Sequence, residues 1–417
     1  MKESEVITSQ GANWSEYAFD NILRAFLNTS FHHQLSVAAW RLPNQPTQHV
    51  ILDTSDNISS TPAQDRGWQL EDLSPGFVAS PFINSDEKSP YVRADIYYQS
   101  GKSACQTTSN ANQATEVYNS LRRQLKQSNS TQIHTVPLSN LFSCAGSATF
   151  SNIVANAVEA IEQGDFKKVV PSRSKLVSLA DNFDAAHTFQ QLCEAYPAAF
   201  VSLFSIPGVG TWMGASPEIL VSTYSERQRK MFRTIALAGT QPVQGKNPLK
   251  NAAWRQKEIE EQAMVSRYII NCFKRIRLRE FDEDGPKTTA AGNLLHLRTD
   301  FTVDMEATNF PELGSVMLRL LHPTSAVCGM PKAPALEFIQ QQEGYDRSFF
   351  SGFLGPVNMQ DETHLFVNLR CMQLLDQQAA LYAGAGVTID SEPHREWEET
   401  EMKMRTMQQF LMIDDQC

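Results

Sequence analysis

Glu396, Glu399 and Lys403 in the segment EWEETEMK recur at helical spacings, which gathers two acids and a base on one face. Glu258 and Glu261 repeat the acidic spacing in KEIEEQAMV. Two acidic pairs on separate helices suit a magnesium ion that takes one or two protein carboxylates, keeps several waters and leaves room for an anionic substrate. Taken singly, either helix could equally be a solvated face laced with Lys257 and Lys403. The glycine turn YAGAGVTI ahead of the second helix adds weight, because Gly384 and Gly386 let a backbone approach a ligand closely and offer amides to a carboxylate.

Two more residues complete an acid–base set. Lys168 in FKKVVPSR enters a Val-Val strand, where lost hydration favours the neutral amine that a general base requires. Glu218 in WMGASPEIL follows a Gly-Ala-Ser-Pro turn, and a carboxyl desolvated there keeps its proton and can act as general acid. By contrast QSGKSA is no phosphate loop, since Ile96 stands where that loop needs glycine.

These residues need elements to hold them. Residues 1–150 mix strand-like runs (LSVAAW, HVILDT, GFVASPFI) with turns and are expected to complete a sheet framework, with a polar loop near 99–133. From Ser151, read as a helix N-cap, SNIVANAVEAIEQGD predicts a helix, followed by a strand through FKKVVPSRSKLVSL. Further helices are expected at 251–279, 311–321, 333–342 and 395–412, and strands at AFVSLFSI, TWMGAS, EILVSTY, FRTIALAG, THLFVNLRCMQLL and ALYAGAGVTI. Hairpin-length links between many strands favour an α+β architecture over a doubly wound parallel sheet. The catalytic region is placed at 151–417.

Bulk properties narrow the function. At 417 residues, 41% hydrophobic and 20% charged, the chain can build a substantial core. A net charge of -10 argues against nucleic acid or an anionic membrane, and the run Lys274, Arg275, Arg277, Arg279 is too local to reverse that. Cys105, Cys144, Cys193, Cys272, Cys328, Cys371 and Cys417 stand singly, with no CxxC pair, so a reducing cytoplasm is the expected location. No membrane span or export leader is expected.

Taken in order, KVVPSR (168–173), GASPEIL, LAGT (237–240), KEIEEQAMV, LLHL (294–297), LHPTSAVCGMP (321–331), YDRSFFSGFLGPV (345–357), NLRCMQL (368–374) and YAGAGVTIDSEPHREWEETEMK resemble the chorismate-utilising enzymes, and are nearest to the isochorismate synthase branch that serves menaquinone or siderophore synthesis. The resemblance implies an α/β sandwich of the anthranilate synthase component I type, with antiparallel sheets flanked by helices. It implies that Lys168 activates a water for attack at C2 of chorismate while Glu218 protonates the hydroxyl leaving C4. Glu261 and Glu399 would hold Mg2+, with Glu258 and Glu396 beside it orienting waters. Arg370, Lys403, Gly384 and Gly386 would take the remaining carboxylate, and Gly239, Thr240 and His296 would line the pocket. The family also suggests a monomer acting on a small molecule.

Within that family, ammonia-using members carry glutamine where this chain has Lys168, and the aminodeoxychorismate branch places a nucleophilic lysine where this chain has Ala238. Water is therefore the expected nucleophile, and no glutaminase subunit is needed. Salicylate synthase, which goes on to eliminate pyruvate, shares the lysine and the glutamate and stands as the alternative. A binding protein that has kept only the scaffold would not need an acid and a base fifty residues apart. Pro171, Gln262, Ala236 and Ser325 depart from the family pattern, and Pro171 removes a ladder donor beside Lys168.

Overall fold

Strands such as Ser36–Arg41 and Phe200–Ile206 are buried along their whole length. Both faces of their sheet are covered, so the usual polar alternation is lost even though the pairing is antiparallel. A computed structural model of the chain describes residues 13–55, 58–60, 69–83, 89–107, 111–127, 130–137, 146–243, 247–291 and 294–411. Cys144, Cys417 and the N-terminal MKESEVITSQ lie outside the described residues.

A nine-stranded sheet runs in the order Gln106–Thr107, Ile96–Gln99, Gln48–Asp53, Ser36–Arg41, Phe200–Ile206, Gly210–Ser216, Cys371–Leu374, Gln378–Gly384, Ser172–Ser178. An eight-stranded sheet runs Asp282–Ala291, Leu294–Asp304, Arg229–Pro242, Ile219–Glu226, Thr363–Val367, Phe353–Val357, Gly76–Ser80, Tyr91–Arg93. Residues of the first 150 are woven into both, through Ser36–Arg41 against Phe200–Ile206 and Gly76–Ser80 against Phe353–Val357. The two sheets face one another across an aromatic core containing Trp40, Phe77, Phe200, Phe204, Trp212, Phe349, Phe366 and Tyr382.

The helices are α1 (Phe19–His33), α2 (Ala111–Leu125), α3 (Ser147–Gln163), α4 (Ala185–Ala195), α5 (Pro248–Asn251), α6 (Gln256–Arg275), α7 (Leu313–Leu321), α8 (Lys332–Gln342) and α9 (Pro393–Gln408). α1, α2, α4 and the end of α9 cover the outer face of the nine-stranded sheet. α3, α6, α7 and α8 cover that of the eight-stranded sheet. The result is the α+β sandwich expected from the sequence. Among the described residues no helix is long and apolar enough to cross a membrane.

Several local expectations need correction. The polar stretch 99–133 is not a continuous loop, because α2 occupies its middle. Its Val117, Tyr118, Leu121 and Leu125 fall on one helical face and are buried, while Glu116, Asn119 and Arg123 are exposed. α3 starts at Ser147, with Gly146 rather than Ser151 as N-cap. α6 is shorter than 251–279. α1 and α4 were not anticipated, although Asp184 caps α4 by accepting from the His187 amide at 2.8 Å.

The expected single strand 166–179 divides at Pro171. Lys168–Val169 pairs with Gly329–Met330 in a two-stranded sheet and bridges from Val169 to Val387, and Ser172–Ser178 joins the nine-stranded one. Proline supplies no N–H here, and the break is held instead by a buried ion pair between Glu343 and Arg347. Arg347 donates to the Val170 carbonyl at 2.6 Å, and Glu343 accepts from the Ser172 amide at 2.7 Å.

Phe200 and Phe366 come from opposite sheets and stack at 4.0 Å between ring centroids. Phe366→Ala is therefore expected to lower stability by about 3–5 kcal/mol, read as a shift of the denaturant midpoint. A loss under about 1 kcal/mol would show that the sheets do not depend on this contact.

Candidate functional site

The chain crosses between the two large sheets at Ser216-Pro217-Glu218 and again at Asn368-Leu369-Arg370. The crossings are bonded together: the Val367 amide donates to the Glu218 carbonyl at 3.0 Å, and the Ala215 amide to the Arg370 carbonyl at 3.0 Å. Side chains at such crossings leave the ladders and project into the space where the sheets part. That space is a cavity of about 770 Å³ including its open mouth.

Glu218, Gly239, Thr240, Glu261, His296, Arg370, Gly384, Gly386, Glu399 and Lys403 line the cavity. Lys168, on the split strand, is not on the wall: it is 1% exposed and stands behind Glu261, with its Nζ 2.6 Å from Glu261 Oε1. Glu258 and Glu396 are not on the wall. Glu258 turns back to the N-terminus of α6, accepting from the Arg255 amide at 2.8 Å and pairing with the Arg255 guanidinium. Glu396 is buried on α9, with Oε1 2.7 Å from Lys257 Nζ and Oε2 without a partner.

Burial pushes the Glu218 carboxyl up to about 7, against opposing contributions from the Thr324 hydroxyl, Lys168 and Lys403. At Glu261 burial also acts upward, but Lys168, with Lys403 and Lys257, outweighs it and holds the carboxyl below its usual range. Two glutamates on one cavity are thus set apart in acidity, the pattern of an acid and an anion working side by side. Burial, then Glu399, raises the Glu396 carboxyl against the pull of Lys257.

Arg370 is partly buried; loss of hydration lowers it to about 10 despite Glu399 and Tyr196, and its buried Nη1 has no partner. A guanidinium with a buried, spare N–H is suited to receive an anionic ligand. His296 Nδ1 lies 2.8 Å from the Gly239 carbonyl, so that nitrogen carries the proton and the buried, partnerless Nε2 is an acceptor. Burial and Arg370 push the ring down to about 3, which keeps it neutral.

The glycines act chiefly by being small. A Cβ on Gly386 would stand 2.9 Å from Glu261 Oε1 and 3.3 Å from Lys168 Cε. One on Gly384 would stand 3.0 Å from the Pro171 carbonyl, and the Gly384 carbonyl itself accepts from Lys403 Nζ at 2.8 Å. Gly239 has φ +68, beside Glu258 and Trp254.

Sequence reasoning missed Thr324, whose hydroxyl lies 3.4 Å from Glu218 Oε1, and Lys257, which it read as a solvated helix lysine. It also missed Ser172, Arg347 and Tyr382, which line the cavity. Thr324 lies in LHPTSAVCGMP, but its residue type alone does not announce a partner for a carboxyl.

Among the described residues, no group of three or more His, Cys, Asp or Glu forms a ready ligand set. Magnesium does not require one, since it binds through one or two carboxylates and retained waters. The partnerless Glu396 Oε2, 2% exposed as a residue and on the same helix as Glu399, is the observation that fits such an ion.

A family model described as "Chorismate binding enzyme" matches residues 61–412. The chain is 29% identical to the isochorismate synthase EntC of Escherichia coli (strain K12) over 264 residues, covering 62% of this chain and 66% of that protein, just under two thirds of its length. The fold is similar to that of MenF, the menaquinone-specific isochorismate synthase from Escherichia coli, with a TM-score of 0.72, 20% identity and coverage of 95% of this chain and 92% of that one. It is also similar to anthranilate synthase component I from Streptococcus pneumoniae, with a TM-score of 0.63, 19% identity and coverage of 90% and 92%.

The raised Glu218 carboxyl has a consequence for stability. Folding takes up a proton where the folded value, about 7, exceeds the unfolded one, 4.5. The contribution is intact below about pH 4.5 and is lost as pH rises through about 7. Glu218→Gln, which cannot ionise, is expected to gain on the parent by about 2–4 kcal/mol between those limits, measured as unfolding free energy against pH. A flat difference would show that the carboxyl ionises normally.

Proposed function

The chain belongs to the chorismate-binding enzymes, and from that premise we propose that it isomerises chorismate to isochorismate. The observation that carries this reading is the meeting, on one cavity, of a carboxyl held near neutrality, Glu218, a guanidinium with a partnerless Nη1, Arg370, and Glu261, behind which the amine of Lys168 stands at 2.6 Å.

Each group has a task that follows from its surroundings. Arg370 and Lys403 receive one carboxylate of the dianionic substrate and orient the ring. Once Lys168 has given up the proton it shares with Glu261, its free amine takes the proton of the water that attacks C2. Glu218 keeps a proton at neutral pH because burial disfavours its anion, and delivers it to the hydroxyl leaving C4. Thr324 sets the direction of that carboxyl. His296, neutral and with a bare Nε2, accepts a hydrogen bond from the ligand without adding charge. Glu261, Glu399 and the free oxygen of Glu396 would hold magnesium, which when bound supplies positive charge against a second substrate carboxylate.

The nucleophile is water, because an amine base at position 168 has no purpose for ammonia and Ala238 offers no nucleophile of its own. No glutaminase subunit is required, and the chain is proposed to act as a monomer.

Incubation with chorismate should give isochorismate with Mg2+ and none with EDTA, read by chromatography. Salicylate with pyruvate as the main product would move the reaction to the lyase, and anthranilate formed with ammonium would contradict the role of Lys168. Lys168→Ala and Glu218→Gln should each lower turnover by about 10²–10⁴-fold with the fold intact. Turnover should fall as pH rises above about 7, where Glu218 loses its proton. A Glu218→Gln variant with parental turnover would remove Glu218 from the chemistry.

A further inference from the structure

Each carboxylate of the cluster has a cation, and one of these cations has no task yet. Lys168 pairs with Glu261 and Lys403 with Glu399, and both already have roles in the reaction proposed above, while Arg255 belongs to the cap of α6. Lys257 instead reaches from α6 to α9, its Nζ 2.7 Å from Glu396 Oε1 and 3.3 Å from Ser391 Oγ. Its side chain is 25% exposed, unlike a lysine that only solubilises a helix. Burial works against its charge, yet Glu396, Glu399 and Glu261 outweigh burial and secure it. These are the carboxylates that would take the divalent ion. Glu396 also keeps a buried oxygen without a partner, so it can turn toward an ion while still bonded to Lys257.

Resting on the metal reading above, we propose that Lys257 is an internal counter-cation of the carboxylate cluster, which lowers its affinity for free divalent metal and makes tight binding depend on the anionic substrate. Without substrate, an ion entering between α6 and α9 meets an ammonium already stationed there. A like charge a few ångströms away, at an effective dielectric of about 20, changes affinity by roughly tenfold or more. When the dianionic substrate arrives, its carboxylates compensate both cations and the ion is retained. Metal and substrate then enter together, and the cluster does not hold a metal when it has no substrate to act on.

The test is Mn2+ binding to the full chain, followed by electron paramagnetic resonance with and without chorismate. Lys257→Met is expected to bind Mn2+ roughly tenfold more tightly than the parent when chorismate is absent, and to gain less affinity when it is added. Lys257→Arg, which keeps the charge, should behave as the parent, and Lys257→Gln replaces the Met variant if that fails to fold. Saturable Mn2+ binding by the parent with equal or weaker binding by Lys257→Met overturns the proposal and leaves the metal reading standing. No saturable binding by any of these proteins, with or without chorismate, overturns both.

Discussion

Lys168 and Glu261 hold each other at 2.6 Å inside a protein with a net charge of -10, and the rest of the site is arranged around keeping such charges paired. A charge left alone in a buried place is strongly destabilising, on the order of 3–5 kcal/mol when its partner is removed. Glu399 has Lys403, Glu396 has Lys257 and Glu258 has Arg255. The cluster is therefore balanced before any ligand arrives. Arg370, with a buried N–H left over, and Glu396, with a buried oxygen left over, are the places where that balance is incomplete. A dianion and a divalent cation would complete it.

The fold makes this possible by interrupting its own ladders. The central strands, such as Ser36–Arg41, Phe200–Ile206 and Gly210–Ser216, are buried along their whole length, so reactive side chains there need positions where a strand stops. Glu218 and Arg370 sit at the two crossings between sheets, and Lys168 lies just before the break at Pro171. The Glu343–Arg347 pair replaces the bonds that the proline cannot make, and so carries the strand of Lys168 from one sheet to the next. Gly386 leaves space for Glu261 Oε1 and Lys168 Cε, which a Cβ there would crowd at 2.9 and 3.3 Å.

Much of this was legible in the residues. The i, i+3 acids on α6 and α9, the glycine turn and the desolvated positions of Lys168 and Glu218 all concern local spacing, which survives folding. The apolar runs gave the strands for the same reason. What could not be read was pairing across long separations. Nothing around Lys257 shows that Glu396 will lie 2.7 Å from it, and nothing around Glu258 shows that its carboxylate will serve the helix end instead of the cavity. α2 was missed because a four-residue apolar face on an otherwise polar helix reads as a loop until a sheet is present to cover it.

In the proposed reaction an amine and an acid serve opposite ends of one ring, so that solvent oxygen enters at one carbon as the original hydroxyl departs from another. Mass spectrometry of the product formed from chorismate in ¹⁸O-water tests it most directly. The predicted result is isochorismate carrying one solvent-derived ¹⁸O in its ring hydroxyl. Isochorismate formed without label would mean that the original hydroxyl migrates within the substrate, and would leave Lys168 and Glu218 without the roles given to them.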